Sequence, residues 1–100
     1  MGDRIGLIFR DSSGEESDII VHSHWMGRGL LKLAQTFYRE SSDTIRDDDC
    51  RTVTAKFLLW IGRTTDVDIE DIDIDVQTED DDCEDNGIWV MDMKTGMIGD

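Results

Sequence analysis

The chain has 100 residues, 24 of them acidic and 10 basic, and its formal net charge is −14. That balance excludes a protein that holds nucleic acid by its phosphates, because such binding needs clustered Lys and Arg. No apolar run is long enough for a signal peptide or a membrane span. We therefore predict a cytoplasmic protein without membrane contact, folded as a single domain over residues 1–100.

The acidic residues are strongly biased towards aspartate, with 18 Asp against 6 Glu, and the basic ones towards arginine, with 7 Arg against 3 Lys. A net charge this large repels itself in dilute buffer. In about 1 M salt the Debye length falls to ~3 Å and most of the repulsion is screened. The composition resembles that of proteins from halophiles that accumulate salt, and it predicts a haloarchaeal or haloarchaeal-virus protein.

The first half of the chain predicts a hairpin followed by two helices. Residues 5–10 and 18–24 alternate like strands and flank a turn-rich segment, which indicates an antiparallel pair. Apolar residues at helical spacing then predict a helix over 29–40. A second helix begins near 47–49, where acids favour a helix N-terminus, and ends at Gly62 as a C-terminal cap.

The third apolar stretch changes register. Val67 and Ile69 alternate with acids, and Ile72, Ile74 and Val76 alternate in the other parity. A β-bulge or a break at residues 70–71 would keep all five apolar side chains facing inward.

Residues 79–85 indicate an acidic loop, 88–93 a strand, and 97–98 a short final pairing after a turn at 94–96. The order β-β-α-α-β-β predicts an α+β fold. A small antiparallel sheet of about four strands, packed against two helices on one face, is the simplest way to bury these apolar stripes.

The densest group of chemically capable residues lies between the second strand and the first helix: His22, His24, Trp25, Gly27, Arg28 and Gly29. Histidines two apart on a strand share a face, which suits metal ligation or proton transfer. Glycines and an arginine before a helix suit a small anionic or nucleotide ligand. The structural alternative, which we favour, is that the histidines end a strand, Trp25 fills the core edge and the glycines permit a sharp turn.

Metal sites and cofactors are not expected. A zinc site would draw on four residues: His22, His24, Cys50 and Cys83. However, Cys50 lies on the apolar stripe of the second helix and should be buried. A calcium loop would draw on Asp71, Asp73 and Asp75, but it lacks the glycine that such a loop needs at its sixth position.

Six acids share the third stretch: Asp66, Asp68, Glu70, Asp71, Asp73 and Asp75. They form either a hydrated face suited to salt or an imitation of nucleic acid offered to a basic partner. Hydration explains them more simply. A hydrolase using His22 or His24 is a further alternative, although no serine occupies a nucleophile-elbow sequence.

Most of the chain resembles a group of small proteins encoded in archaeal genomes and by viruses and phages. The resemblance rests on a strand, a glycine-containing turn and a helix around His24-Trp25, and on Asp85-Asn86-Gly87-Ile88-Trp89-Val90 with Asp92-x-x-Thr95-Gly96. Met26 interrupts the glycine-rich step expected after the tryptophan. The resemblance implies no particular activity.

We therefore predict a non-catalytic protein–protein interaction protein, with another protein as its partner. An exposed apolar patch should then include Trp25, Met91, Met93 and Met97. The alternatives are a virus-encoded anti-defence protein that binds a nucleotide-like anion or mimics nucleic acid, and a small histidine-dependent hydrolase.

Overall fold

The computed structural model describes residues 4–41, 43–46, 48–66, 71–76 and 86–99. Its elements, in chain order, are β1 (Ile5–Arg10), β2 (Ile19–Ser23), α1 (Gly29–Ser41), α2 (Cys50–Thr64), β3 (Ile72–Val76), β4 (Ile88–Asp92) and β5 (Ile98–Gly99). These strands form one sheet in the order β3-β2-β1-β4-β5. The acidic loop predicted at 79–85 lies outside the described residues.

The α+β class and the β1–β2 antiparallel hairpin are confirmed, whereas the predicted antiparallel sheet of about four strands matches only roughly, because the described sheet is mixed and has five strands. β4 lies parallel to β1, with Leu7 beside Trp89, and β5 adds a fifth strand. Residues 5–9 of β1 are all buried, and Ile8, which faces away from the helices, is only 1% exposed. A strand that is apolar on both faces is typical of a central position, which β1 occupies.

Both helices pack on one face of the sheet, as predicted. Three phenylalanines join the layers: Phe9 of β1, Phe37 of α1 and Phe57 of α2. Their ring centroids lie 5.1–6.1 Å apart in edge-to-face arrangements. Such pairs contribute about 0.5–1.5 kcal/mol each beyond the burial of their area. This aromatic triangle fixes where α1 and α2 lie over the sheet.

The start of α2 is fixed by two aspartates. Asp49 is the N-cap and accepts hydrogen bonds from the backbone N–H groups of Arg51 and Thr52, as acids near this point predicted. Asp11, in the turn after β1, accepts a further bond from the Cys50 N–H (3.2 Å). The predicted C-terminal cap is wrong, because α2 runs past Gly62 to Thr64.

The Asp11 carboxylate is buried and joins the β1–β2 turn to α2. It accepts hydrogen bonds from the Ser13 hydroxyl and from the backbone N–H groups of Ser13, Glu15 and Cys50. The bond from the Ser13 hydroxyl is the largest influence and lowers the pKa of Asp11; burial opposes this, and the backbone bonds add to it.

Cys50 is buried on the inner face of α2, as its position in the apolar stripe predicted. Burial is the largest influence on its thiol and raises its pKa, and the nearby carboxylates of Asp11, Glu15 and Asp49 raise it further. The thiol therefore stays protonated and packs as a small apolar group. Cys83 lies outside the described residues.

The prediction that the third stretch would bury all its apolar residues is wrong for two of them. Ile72 is half-buried, but Ile74 and Val76 are 50% and 55% exposed. β3 is the last of the described strands on its side of the sheet, and α2 packs mainly over β1 and β2. Residues 67–70, where the register change was predicted, lie outside the described part of the chain.

The short pairing predicted near the end of the chain is confirmed, with Met91 of β4 opposite Ile98 of β5. The turn between them needs Gly96, whose φ is +76°. A Cβ built there would lie 2.7 Å from a ring carbon of Tyr38, so glycine is required on both counts. In the described part of the chain, no helix is long and apolar enough to cross a membrane.

Candidate functional site

A buried carboxylate organises the junction between β2 and α1. Asp71, just before β3, accepts hydrogen bonds from the Ser23 hydroxyl (2.6 Å) and the His24 backbone N–H (3.0 Å). The Ser23 hydroxyl in turn accepts a bond from the Met26 N–H (3.0 Å). Ser23 and Asp71 are 1% and 7% exposed. This network links the end of β2 to β3 and sets the turn that leads into α1.

The N-terminus of α1 uses its own N–H groups in a tight turn. The N–H groups of Gly29, Leu30 and Leu31 donate to the carbonyls three residues earlier, at distances of 3.1 Å. Gly27 supports this turn with a φ of +54°. An anion at this helix start would have to compete with those internal hydrogen bonds.

Trp25 and Arg28, which were also predicted to belong to the site at the junction, lie in different environments. Trp25 is 65% exposed, so the expectation that it fills the core edge is wrong, and Met26 packs against the core instead. The Arg28 guanidinium lies 5.2 Å from the ring centroid of Trp89, in cation–π geometry.

The two histidines line a small hollow on the face of the sheet opposite the helices. It has a volume of about 220 Å³ and also involves Asp73 and Asp75 of β3. His22 lies directly across from Asp73 in the β2–β3 pairing. Arg4 lines the same hollow. The structure thus brings His22 and His24 together, but away from the start of α1.

The geometry gives metal and hydrolase chemistry little support. Within the residues described, no group of three or more His, Cys, Asp or Glu side chains could hold a metal ion. The zinc set considered from the sequence is not tested, because Cys83 lies outside that part. The Ser23 hydroxyl is buried and donates to Asp71. The acceptor of the Ser23 hydroxyl is a carboxylate and not His22 or His24, and the hydroxyl is buried away from any substrate in solution, so Ser23 does not form the serine–histidine pair of a hydrolase.

The predicted acidic row is not one continuous surface in the residues that the structure describes. Asp71 is buried and hydrogen-bonded within the fold, while Asp73 and Asp75 are exposed on the face opposite the helices. Asp66 is exposed after the end of α2, separate from this strand. Asp68 and Glu70 lie outside the described residues.

An apolar hollow lies between α2 and β3. It has a volume of about 470 Å³ and is lined by Leu58, Leu59, Ile61, Gly62, Arg63, Ile72, Asp73 and Ile74. Leu59 and Ile74 are about half exposed, and Val76 continues the same face along β3. We call this surface the α2–β3 groove. Exposed apolar residues that are contiguous in this way are typical of interaction surfaces.

The apolar patch predicted from the sequence is wrong in two of its four members. Met91 and Met93 are buried in the core, whereas Trp25 and Met97 are exposed. The residues of the α2–β3 groove were missed because Ile74 and Val76 were assigned to the core. The exposure of Leu59 could have been predicted, because it follows Leu58 on α2 and two adjacent leucines cannot both face the sheet.

Comparison of the chain with protein-family models, with curated proteins and with solved structures finds no match.

Proposed function

We propose that this protein is a non-catalytic protein–protein interaction module, and that it binds its partner through the α2–β3 groove. The observation that supports this most directly is that Leu59, Ile74 and Val76, on two neighbouring elements, are each at least half exposed. Monomeric proteins rarely leave contiguous apolar surface in water without a use for it.

The energetic gain from covering this groove is substantial. Complete burial of a Leu, Ile or Val side chain contributes about 1.5–3 kcal/mol. Covering the exposed half of each of the three side chains would therefore contribute ~1 kcal/mol apiece. Contributions of this size suit the apolar centre of an interface, with charged residues at its rim.

The junction is a weaker candidate for the binding site. Three N–H groups at the start of α1 donate to backbone carbonyls, and Arg28 stacks on Trp89. An anionic ligand would have to compete with those backbone hydrogen bonds and with the stacking of Arg28 on Trp89. For the same reason, nucleotide binding is the second proposal rather than the first.

We also propose that the protein works in a salt-rich cytoplasm, in a haloarchaeon or in a cell infected by a haloarchaeal virus. The support is compositional: a net charge of −14 on 100 residues, with most acids being aspartate. In about 1 M KCl the midpoint of thermal unfolding should rise well above its value in dilute buffer, since screening removes self-repulsion. Equal stability at both salt concentrations would contradict this part of the proposal.

The groove is tested by capture from a haloarchaeal lysate in ~1 M KCl, with matched variants. The tagged wild type is compared with Leu59→Lys in the groove and with Met97→Lys beside β5, at the opposite edge of the sheet. Both replaced side chains are exposed, so neither variant should unfold. We expect one stoichiometric protein with the wild type and Met97→Lys, and its loss with Leu59→Lys. Loss only with Met97→Lys would place the interface elsewhere.

A further inference from the structure

The outer edge of β3 has a defined hydrogen-bonding pattern. The His24 N–H donates to the Asp71 carbonyl (3.4 Å), and the pairing register places these two residues opposite each other. Because backbone groups alternate in direction along a strand, those of Asp73 and Asp75 point towards β2. The backbone groups of Ile74 and Val76 therefore point outward, to the edge that no described strand pairs with.

Two aspartates occupy this edge. The Asp73 carboxylate accepts a hydrogen bond from the Ile74 N–H (2.9 Å), and the Asp75 carboxylate accepts one from the Val76 N–H (2.8 Å). Each outward N–H is thus satisfied by the side chain of the residue before it. Charged side chains on an edge are a common protection against unwanted strand pairing.

The side chains of β3 alternate between two faces, with Ile72, Ile74 and Val76 on one and Asp73 and Asp75 on the other. Asp73 also borders the α2–β3 groove, and Ile74 also borders the hollow at the histidines. The side chains of a strand added to this edge would alternate between the same two faces of the sheet. Its apolar side chains would enter the groove, and basic side chains would meet the two carboxylates.

We infer that the partner of the groove is an extended protein segment of alternating apolar and basic residues, which adds to the sheet beside β3. This inference rests on the proposed function and specifies the occupant of its groove. Lysine or arginine on the incoming strand draws the Asp73 and Asp75 carboxylates into ion pairs. The Ile74 and Val76 N–H groups then donate to the carbonyls of the incoming strand. The two aspartates thereby select a basic strand and keep others away.

A second copy of the chain is the wrong occupant. If two β3 strands paired antiparallel about Ile74, Asp73 of each would lie opposite Asp75 of the other. Like charges directly across a strand pair are destabilising.

The inference is tested with short fluorescent peptides and the full chain in ~1 M KCl. One peptide alternates Val or Ile with Lys or Arg; a second has the same composition with the alternation scrambled; a third carries Glu in place of the basic residues. Fluorescence anisotropy should show the alternating basic peptide binding at least tenfold more tightly than either control. Equal binding of the scrambled peptide would overturn the inference.

Two sets of variants separate charge from backbone pairing. Asp73→Asn with Asp75→Asn keeps an acceptor for each N–H but removes the charge, and should weaken the alternating peptide about threefold, since salt screens part of the two ion pairs. Ile74→Pro removes one outward N–H and leaves the β2–β3 hydrogen bonds in place. It should abolish binding, whereas Ile74→Ala, which keeps the N–H, should only weaken it. Equal binding by the Pro and Ala variants would exclude strand addition.

Amide hydrogen exchange of the wild type gives a readout that needs no variant. Binding of the alternating peptide should slow exchange at Ile74 and Val76, and unchanged exchange at both would overturn the inference. Self-association of the free chain that protects these same amides would assign the edge to a second copy instead. If the peptides fail but Leu59→Lys still loses its captured partner, the proposed function stands and only strand addition fails. If Leu59→Lys keeps that partner, the proposed function fails.

Discussion

The β2–α1 junction and the α2–β3 groove differ in how much of their chemistry the fold itself uses. At the junction, Asp71 accepts hydrogen bonds from Ser23 and His24, and the first N–H groups of α1 bond to nearby carbonyls. In the groove, apolar side chains that resemble core residues are left half exposed. A polar cluster in a sequence is therefore not necessarily a binding site, and an apolar strand is not necessarily part of the hydrophobic core.

The cause of this difference is the place of each region in the sheet. The junction lies where the chain leaves β2 for α1, beside the start of β3, and the polar backbone groups of that turn must find hydrogen-bond partners. The groove lies at the β3 edge of the sheet. Because α2 packs mainly over β1 and β2, it leaves the helix-side face of β3 partly uncovered.

The largest expected effect is on stability, from removing the carboxylate at the junction. Asp71→Ala leaves the buried Ser23 hydroxyl and the His24 N–H without their acceptor, and should lower the free energy of unfolding by about 2–3 kcal/mol. Asp73→Ala, on the same segment but exposed, should change it by less than about 0.5 kcal/mol. Urea unfolding followed by circular dichroism checks both. Equal effects would mean that Asp71 has no special structural role.

The second prediction concerns pH and the buried carboxylate of Asp11. Its hydrogen bonds lower its pKa in the folded state, so its contribution to stability is complete above its ordinary value of 3.8 and is lost as the pH falls through the lower folded value. Asp11→Asn should therefore be less stable than the wild type at pH 7. The difference should narrow below about pH 4. A difference that does not change between pH 7 and pH 3 would show that the lowered pKa does not contribute.

A smaller effect is expected at Arg28. Its guanidinium stacks on Trp89, so Arg28→Ala should cost ~0.5–1 kcal/mol of stability. Added inorganic phosphate should leave the thermal midpoints of wild type and variant unshifted relative to chloride of equal ionic strength. A rise of the thermal midpoint in the wild type alone would show that the junction binds anions, and would contradict the difference described between the junction and the α2–β3 groove.

The smallest effect on stability belongs to the groove. Leu59→Lys replaces a half-exposed side chain of α2 that lines the groove, so the free energy of unfolding should change by no more than about 0.5 kcal/mol. Denaturant titration checks this. A large loss would show that Leu59 contributes to folding and not to binding.

Periodicity was enough to predict most of the elements. The hairpin of β1 and β2, both helices, the burial of Cys50 and the short β4–β5 pairing follow from local patterns, and the structure has them. The parallel pairing of β4 with β1 could not be obtained in this way, because strand order depends on contacts between distant residues. The one local indication that β1 is a central strand was that Ile8 makes its second face apolar as well.

The candidate site was less predictable for a related reason. Alternation places Ile72, Ile74 and Val76 on one face, but it does not say whether a helix covers that face. The exposure of Ile74 and Val76 depends on where α2 crosses the sheet, which the contacts among Phe9, Phe37 and Phe57 fix. The capping of the Ile74 and Val76 N–H groups likewise depends on β3 being an edge strand.

The account requires above all that the groove, and not the junction, contacts the partner. A photo-crosslinking residue placed at Leu59 or at Trp25 tests this directly, because both side chains are more than half exposed. In a haloarchaeal lysate at native salt, crosslinking from position 59 should yield one discrete adduct, and crosslinking from position 25 should yield none. An adduct from position 25 alone would contradict the account and return the function to the junction.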